Sequence, residues 1–196
     1  LYMEAILHPN IRILSIATRP DCLSTEILDL LERLNQIKPV WVELGLQTIH
    51  ERTARYIRRG YDLPVFETAV SELRRRGIDV IVHTILCLPG ETKPDMLQTI
   101  QYLNRQDIQG IKLQLLHILK DTDLAEIYAS DPFPVPDPQE YYELLGACIS
   151  HLKPDIVIHR LTGDGPKELL TAPLWTCNKR QVLNQLQSYF KTHDIW

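Results

Sequence analysis

Val40-Trp41-Val42-Glu43-Leu44-Gly45-Leu46-Gln47 carries two interleaved series. Val42, Leu44 and Leu46 form an apolar one, and Glu43, Gly45 and Gln47 a polar one. Residues two apart share one face of a strand, so the stretch reads as a strand with one greasy and one polar side. A carboxylate, a glycine and an amide on one face are foreign to a sealed core, because a buried unpaired carboxylate is costly. Two readings accommodate them: a polar, partly open lumen, or an edge strand with a solvated face. In the lumen reading Gly45 lets a ligand approach the backbone.

Outward from this strand the chain alternates strand and helix. Upstream, Leu1–Leu7 reads as the end of a helix closed by His8-Pro9-Asn10, and Ile11–Ala17 as a strand. A helix from Thr25 to about Ile37 follows, capped by Ser24, with Ile27, Leu30, Leu31 and Leu34 as its apolar face. Downstream come a short helix around Glu51–Ile57 and a helix from Pro64 to a left-handed stop at Gly77. Then follow a strand Val80–Cys87, a helix Pro94–Arg105, a strand Gly110–Ile118 and a helix near Asp123–Ala129. The proline run in residues 131–138 must be an extended loop. A helix Gln139–Leu152, a strand Ile156–Leu161 and a helix Lys179–Lys191 complete the chain.

This order predicts an α/β fold with a mostly parallel sheet. About five strands are too few for a closed eight-stranded barrel, so a partial barrel or an open sheet is expected. The expected division is residues 1–130 for the barrel part and 131–196 for a C-terminal extension packed on it. With 196 residues, a net charge of −4 and 44% hydrophobic residues, composition gives no whole-chain case for nucleic acid. The apolar runs are short, so no membrane span and a cytoplasmic location are expected. Cys22, Cys87, Cys148 and Cys177 are scattered without a C-x-x-C pair. They encode neither a disulfide framework nor a metal or cluster site, and read as reduced structural thiols. No Ser/His/Asp set is recoverable, and Leu88-Pro89-Gly90-Glu91-Thr92 lacks the lysine of a phosphate loop.

In such folds the site lies at the carboxyl ends of the strands. His83 sits in an apolar run and reads either as a hydrogen-bonded core residue or as a ligand contact. Lys112 and Gln114 share a strand face, His117 and Lys120 follow, and His159 and Arg160 belong to the last strand. Cationic and imidazole groups at several strand ends suit an anionic or polar substrate, although solvated strand ends would look similar. Thr162-Gly163-Asp164-Gly165-Pro166 is a plain turn or a phosphate-facing one. Arg52, Arg55, Arg58 and Arg59 form a basic cluster, either a solvated face or, for Arg59, an inward-turned group. The run Arg74-Arg75-Arg76 is a helix terminus first and an RNA contact second.

Glu43-Leu44-Gly45-Leu46-Gln47-Thr48, Arg58-Arg59-Gly60-Tyr61-Asp62 and His83-Thr84-Ile85-Leu86-Cys87-Leu88-Pro89-Gly90-Glu91 together resemble consecutive segments of radical S-adenosylmethionine (SAM) enzymes. Gly110-Ile111-Lys112-Leu113, His159-Arg160-Leu161-Thr162-Gly163-Asp164-Gly165 and Ala172-Pro173-Leu174-Trp175 extend the resemblance over nearly the whole chain. It is strongest to the bacterial branch related to coproporphyrinogen-oxidase-like and Elongator-like proteins. The resemblance implies a partial (β/α) barrel in which a [4Fe–4S] cluster on a C-x-x-x-C-x-x-C loop binds SAM and cleaves it to a 5′-deoxyadenosyl radical. That loop is absent from this sequence, so the chain is expected to be a C-terminal piece of the enzyme, inactive alone, with the orphan helix at Leu1 as a hint.

Carried over residue by residue, the resemblance puts Glu43 and Gln47 at the SAM ribose and methionine end. It implies Arg59 at the SAM carboxylate, His83 at the ribose, and Ile85 and Leu88 at the adenine. Lys112, His117, His159 and Arg160 are the substrate-side candidates, and no residue is a metal ligand. Cys87 replaces a usual glycine and is expected to narrow the adenine pocket, while Arg58 and Tyr61 replace a usual Asn and His. The implied partners are a tRNA, modified at its wobble uridine, and an electron donor for the cluster. Oligomers through a truncated sheet edge are also expected. The alternative is a non-catalytic RNA- or protein-binding module on a barrel remnant, and a weaker one is a cluster-free enzyme for a phosphorylated small molecule.

Overall fold

The computed structural model describes residues 1–195; Trp196, the last residue of the expected extension, lies outside the described residues. The elements run α1 (Tyr2–Leu7), β1 (Leu14–Thr18), α2 (Thr25–Asn35), β2 (Val40–Gln47), α3 (Glu51–Tyr56), α4 (Leu63–Arg75), β3 (Asp79–Leu86) and α5 (Lys93–Leu103). Then come β4 (Gly110–Leu115), β5 (Ile118–Leu119), α6 (Asp123–Ser130), α7 (Pro138–His151), β6 (Val157–Arg160), β7 (Leu170–Ala172) and α8 (Lys179–Thr192).

Five strands form one sheet in the order β1-β2-β3-β4-β6, and every adjacent pair is parallel. Each strand therefore returns beside its predecessor in one direction. Right-handed crossovers repeated in one direction put their helices on one face and curl the sheet away from them. The result is an open partial barrel, and the polar face of β2 is its inner face. Because β2 is hydrogen-bonded on both sides, its polar series is not that of an edge strand.

Local chemistry sets the helix starts. Ser24 caps α2 by accepting from the Ile27 N–H. Thr92 with Asp95 and Asp137 with Glu140 form reciprocal capping boxes on α5 and α7, each with a proline in the first turn. The core lies between the outer sheet face and the helices. Val42, Leu44 and Leu46 of β2, Val80 and Val82 of β3, and Ile111 and Leu113 of β4 are all sealed there against Leu34, Phe66, Leu73, Ile100 and Leu103.

Three local expectations change, and the first reading of Arg74–Arg76 as a helix terminus stands. The buried stripe of α2 is Leu28, Leu31 and Leu34, while Ile27 is exposed. The strand expected to reach Ile118 stops at Leu115, and Ile118–Leu119 instead pairs antiparallel with β7. The Arg74–Arg76 run is tied down structurally: Arg74 bridges Asp79 and Asp107, and Arg76 bridges Glu72, Asp29 and Glu32. β6, from the expected extension, is the fifth strand of the main sheet, and β1 and β6 are its two edges. Among the described residues no helix is long and apolar enough to cross a membrane.

Candidate functional site

Strand register layers the inner face. Gly45, His83 and Lys112 lie side by side on β2, β3 and β4, and Lys112 pairs with Arg160 of β6. One layer toward the carboxyl ends, Ile85 lies beside Gln114. Glu43 reaches up from the layer below and anchors this floor. Its carboxylate accepts from Ser15 Oγ at 2.8 Å, from His83 Nε2 at 2.8 Å and from Lys112 Nζ. Gln114 Nε2 meets His83 Nδ1 at 3.1 Å, so the imidazole donates from Nε2 and accepts at Nδ1, a neutral tautomer set by both neighbours.

The electrostatics agree with that wiring. Burial alone would raise the Glu43 carboxyl, but hydrogen bonds from Lys112, Ser15 and His83 overcome it and hold it at about 2. Burial lowers His83 despite its bond to Glu43, and the charges of Lys112 and Arg160 push the same way. Glu43 and His83 are thus fully engaged with protein partners below the strand ends.

Above the floor a cavity of about 490 Å³ opens at the carboxyl ends of β2 and β3. Gln47, Arg59, Ile85 and Leu88 all line it, together with Leu116, Tyr61, and Leu124 and Ile127 of α6. α6 roofs it without burying a single residue of its own, and an exposed ion pair of 2.6 Å joins Asp123 on α6 to Arg58 beyond α3. Size and lining suit a nucleoside-sized ligand: apolar walls for a base, with an amide and a few polar groups at one end.

Arg59 lines the cavity but is held mainly by the protein itself. Its side chain is 1% exposed, and Nε donates to Tyr61 O, Nη1 to Leu46 O and Thr48 O, and Nη2 to Glu51. Four of its five N–H groups are thereby committed to the loops around the cavity, leaving one for a ligand carboxylate. Tyr61 lies over the guanidinium, 4.8 Å from its centre to the ring, and its hydroxyl donates to Gly45 O. Gly45 is small for a related reason: a Cβ there would stand 2.7 Å from Gln47 Nε2. The group that approaches Gly45 is the chain's own Gln47 amide.

Cys87 also needs correction. It has φ +63, the left-handed conformation that favours glycine, which is a backbone reason for the glycine of relatives. Its side chain lines a second cavity of about 570 Å³ under the proline loop, with Met96, Phe133 and Glu140, and not the cavity holding Ile85. Burial pushes its thiol up to about 12, so it is inert.

The substrate-side candidates separate. The β4–β6 register slips between Ile111 and Lys112, so His159 is a bulged residue and both His159 and Arg160 turn inward. The His159 ring lies over Gly110, where a Cβ would be 2.5 Å from Nε2, and edge-on to Trp41 at 5.2 Å. It plugs the base of the lumen. His117 packs under the Gly163–Gly165 turn, whose glycines a Cβ would drive into its ring at 2.8 and 2.9 Å, and with that turn it lines a further cavity of about 240 Å³ shared with the inward-facing Ile85 and Gln114. That turn is shaped around His117, which is the structural reason for its glycines.

Ser15 and the α6 residues Leu124 and Ile127 were not recognisable as site residues. Ser15 shows no local signal. The apolar spacing of α6 was visible, but not what it covers. Among the described residues no group of three or more His, Cys, Asp or Glu could hold a metal, and the four cysteines are free and far apart in sequence. These residues fit SAM at the mouth and do not fit an iron–sulfur cluster.

The chain matches the family model of the Radical SAM superfamily over residues 1–103 and that of the Radical SAM C-terminal domain over residues 108–192. It is 42% identical over 173 residues to the uncharacterized protein YtqA of Bacillus subtilis, covering 88% of this chain and 54% of that one. It is 35% identical to the protein YhcC of Escherichia coli over 100% of this chain and 63% of that one. The chain therefore spans less than two-thirds of the length of these relatives. In fold it is similar to the archaeal Elp3 of Methanocaldococcus infernus, with a TM-score of 0.79 at 18% identity, covering 94% of this chain and 42% of that one.

Proposed function

The chain belongs to the radical SAM superfamily, and from that premise we propose that it forms the SAM-facing wall of an enzyme that modifies tRNA at the wobble uridine. The observation that carries this reading is one cavity at the strand ends that Gln47, Arg59, Ile85 and Leu88 line together. A [4Fe–4S] cluster, whose cysteines are not among these residues, would pass an electron from a donor to bound SAM and so supply the radical chemistry of the family.

The chain's own residues then divide the work. Ile85 and Leu88 offer the apolar walls an adenine needs, and Gln47 offers an amide at the polar end. Arg59 acts on the ligand chiefly through the loops it fixes, with one N–H left for a carboxylate. α6 covers one side of the cavity, which limits the access of water to a reactive species. Arg52, Arg55 and Arg58 are exposed beside the mouth, a local basic rim suited to a nucleic-acid backbone.

The test uses S-adenosylhomocysteine, whose adenosine end does not depend on a cluster. Calorimetry should show saturable binding to the chain, reduced at least about tenfold in Ile85→Glu, where a charge replaces an adenine-facing methyl group. No saturable binding, or equal binding by both proteins, removes the SAM reading. In the longer protein with iron reconstituted, reduction should convert SAM to methionine and 5′-deoxyadenosine, and a protein that binds no iron sides with a non-catalytic module.

A further inference from the structure

The lumen floor has an uncompensated positive charge. Glu43 supplies one negative charge and Lys112 one positive, and they pair directly, each side chain less than one-fifth exposed. Arg160 adds a second positive charge in the same layer, beside Lys112. Among the described residues it has no hydrogen-bond or ion-pair partner. The nearby Asp164 feels the charge of Arg160 but spends its ion pair on Lys179, at 2.5 Å and half exposed to solvent. His83 and His159 add no charge, since their environments favour the neutral ring.

A guanidinium on the lumen face without a protein partner keeps its donors free for a ligand. Its planar fork suits two-oxygen anions. The bulge at His159 strengthens the case. Without the extra residue, residues 159 and 160 would point to opposite faces; with it, both reach the lumen. His159 then fills the base over Gly110 and closes the lumen beneath Arg160. SAM in the mouth would not neutralise Arg160, because SAM carries a sulfonium and an ammonium against one carboxylate.

We infer that Arg160, flanked by Lys112, binds an anionic group of the substrate, a carboxylate or a phosphate, at the lumen floor. This deepens the reading proposed above and rests on it for the identity of the mouth ligand. His83 shares the floor layer, and Ile85 lies two residues beyond it on β3, about 7 Å along the strand. A substrate anchored by its anion on Arg160 would therefore place an atom roughly one strand layer away against the mouth ligand.

The experiment titrates the protein with acetate and, separately, with inorganic phosphate, following the imidazole NMR signals of His83 and His159. Saturable shifts are expected in the wild type, weakened about tenfold or more in Arg160→Gln and largely retained for phosphate in Arg160→Lys. The ratio of acetate to phosphate affinity tells which anion the floor prefers. Equal affinities in wild type and Arg160→Gln, or no histidine shift in the wild type, overturn the assignment. Should Arg160→Gln fail to fold, the Lys variant decides: a planar-fork site loses acetate more than phosphate, and unchanged affinity for both rejects it. S-adenosylhomocysteine binding is read in the same samples. Its loss with anion binding intact refutes the mouth reading alone, and the reverse refutes the floor alone.

Discussion

The floor and the mouth of this partial barrel are lined by the same strands and built on opposite terms. At the floor, Ser15, Glu43, His83, Lys112 and Gln114 satisfy one another, and each hydrogen bond limits the movement of the next. At the mouth, Ile85, Leu88, Leu124 and Ile127 face a cavity, and the roof is a helix that buries nothing of its own. A wired floor holds a fixed charge pattern before any ligand arrives. A greasy mouth under a loosely held roof can admit a ligand and close on it.

The strongest way to break that contrast is to remove the hub of the floor. Glu43→Ala strands the Lys112 ammonium, whose side chain is 13% exposed, and leaves Ser15 and His83 without their acceptor. It should cost about 3 kcal/mol of unfolding free energy, measured by urea denaturation at neutral pH. A loss under about 1 kcal/mol would mean that water replaces the carboxylate and the floor is not wired.

Acid should also act on the floor. The Glu43 carboxyl sits at about 2 in the folded chain against an ordinary value of 4.5. The unfolded chain takes up the proton first, so this contribution is complete above pH 4.5 and is lost as pH falls toward 2. His83, His117 and His159 are lowered by burial from 6.5, so stability also declines as pH falls below 6.5. Denaturation midpoints should step down through both windows, and the lower step should shrink in Glu43→Ala without vanishing, because the carboxyls of Glu72, Asp21, Asp95 and Asp164 are also lowered by their partners. A flat midpoint between pH 7 and pH 3 would contradict both assignments.

The smallest effect belongs to the mouth. The Arg58–Asp123 pair has side chains 77% and 67% exposed, so Arg58→Ala should change global stability by no more than about 0.5 kcal/mol. Its effect should fall on the roof instead, as faster hydrogen exchange in residues 123–130. Unchanged exchange there would mean that other contacts hold α6.

The frame of this molecule was readable because one periodicity governs it. The alternation in β2 separates outer Val42, Leu44 and Leu46 from inner Glu43, Gly45 and Gln47 as the pattern demands. Caps at Ser24, Thr92 and Asp137 sit where helices begin. The lining of the candidate cavity was legible in part, and its wiring was not. Gln47, Arg59, Ile85 and Leu88 do line one cavity, yet nothing in the sequence says that Arg59 spends most of its donors on Leu46, Thr48, Tyr61 and Glu51. Those contacts depend on loop geometry between residues up to 13 apart in the chain. Ser15 was out of reach because its partner is 28 residues away. The packing of His117 under the Gly163–Gly165 turn was out of reach because its contacts lie far away in the chain.

The surplus residue in β6 has a consequence for how such a barrel diversifies. On the other strands a lumen residue is followed by one committed to the core, so a change of chemistry must respect every second position. At His159 and Arg160 two successive codons both address the lumen. The bulge also separates the register before it from the register after it, so the base plug and the charged group above it can drift independently. β6 is therefore a strand on which two neighbouring lumen side chains can change with few changes elsewhere.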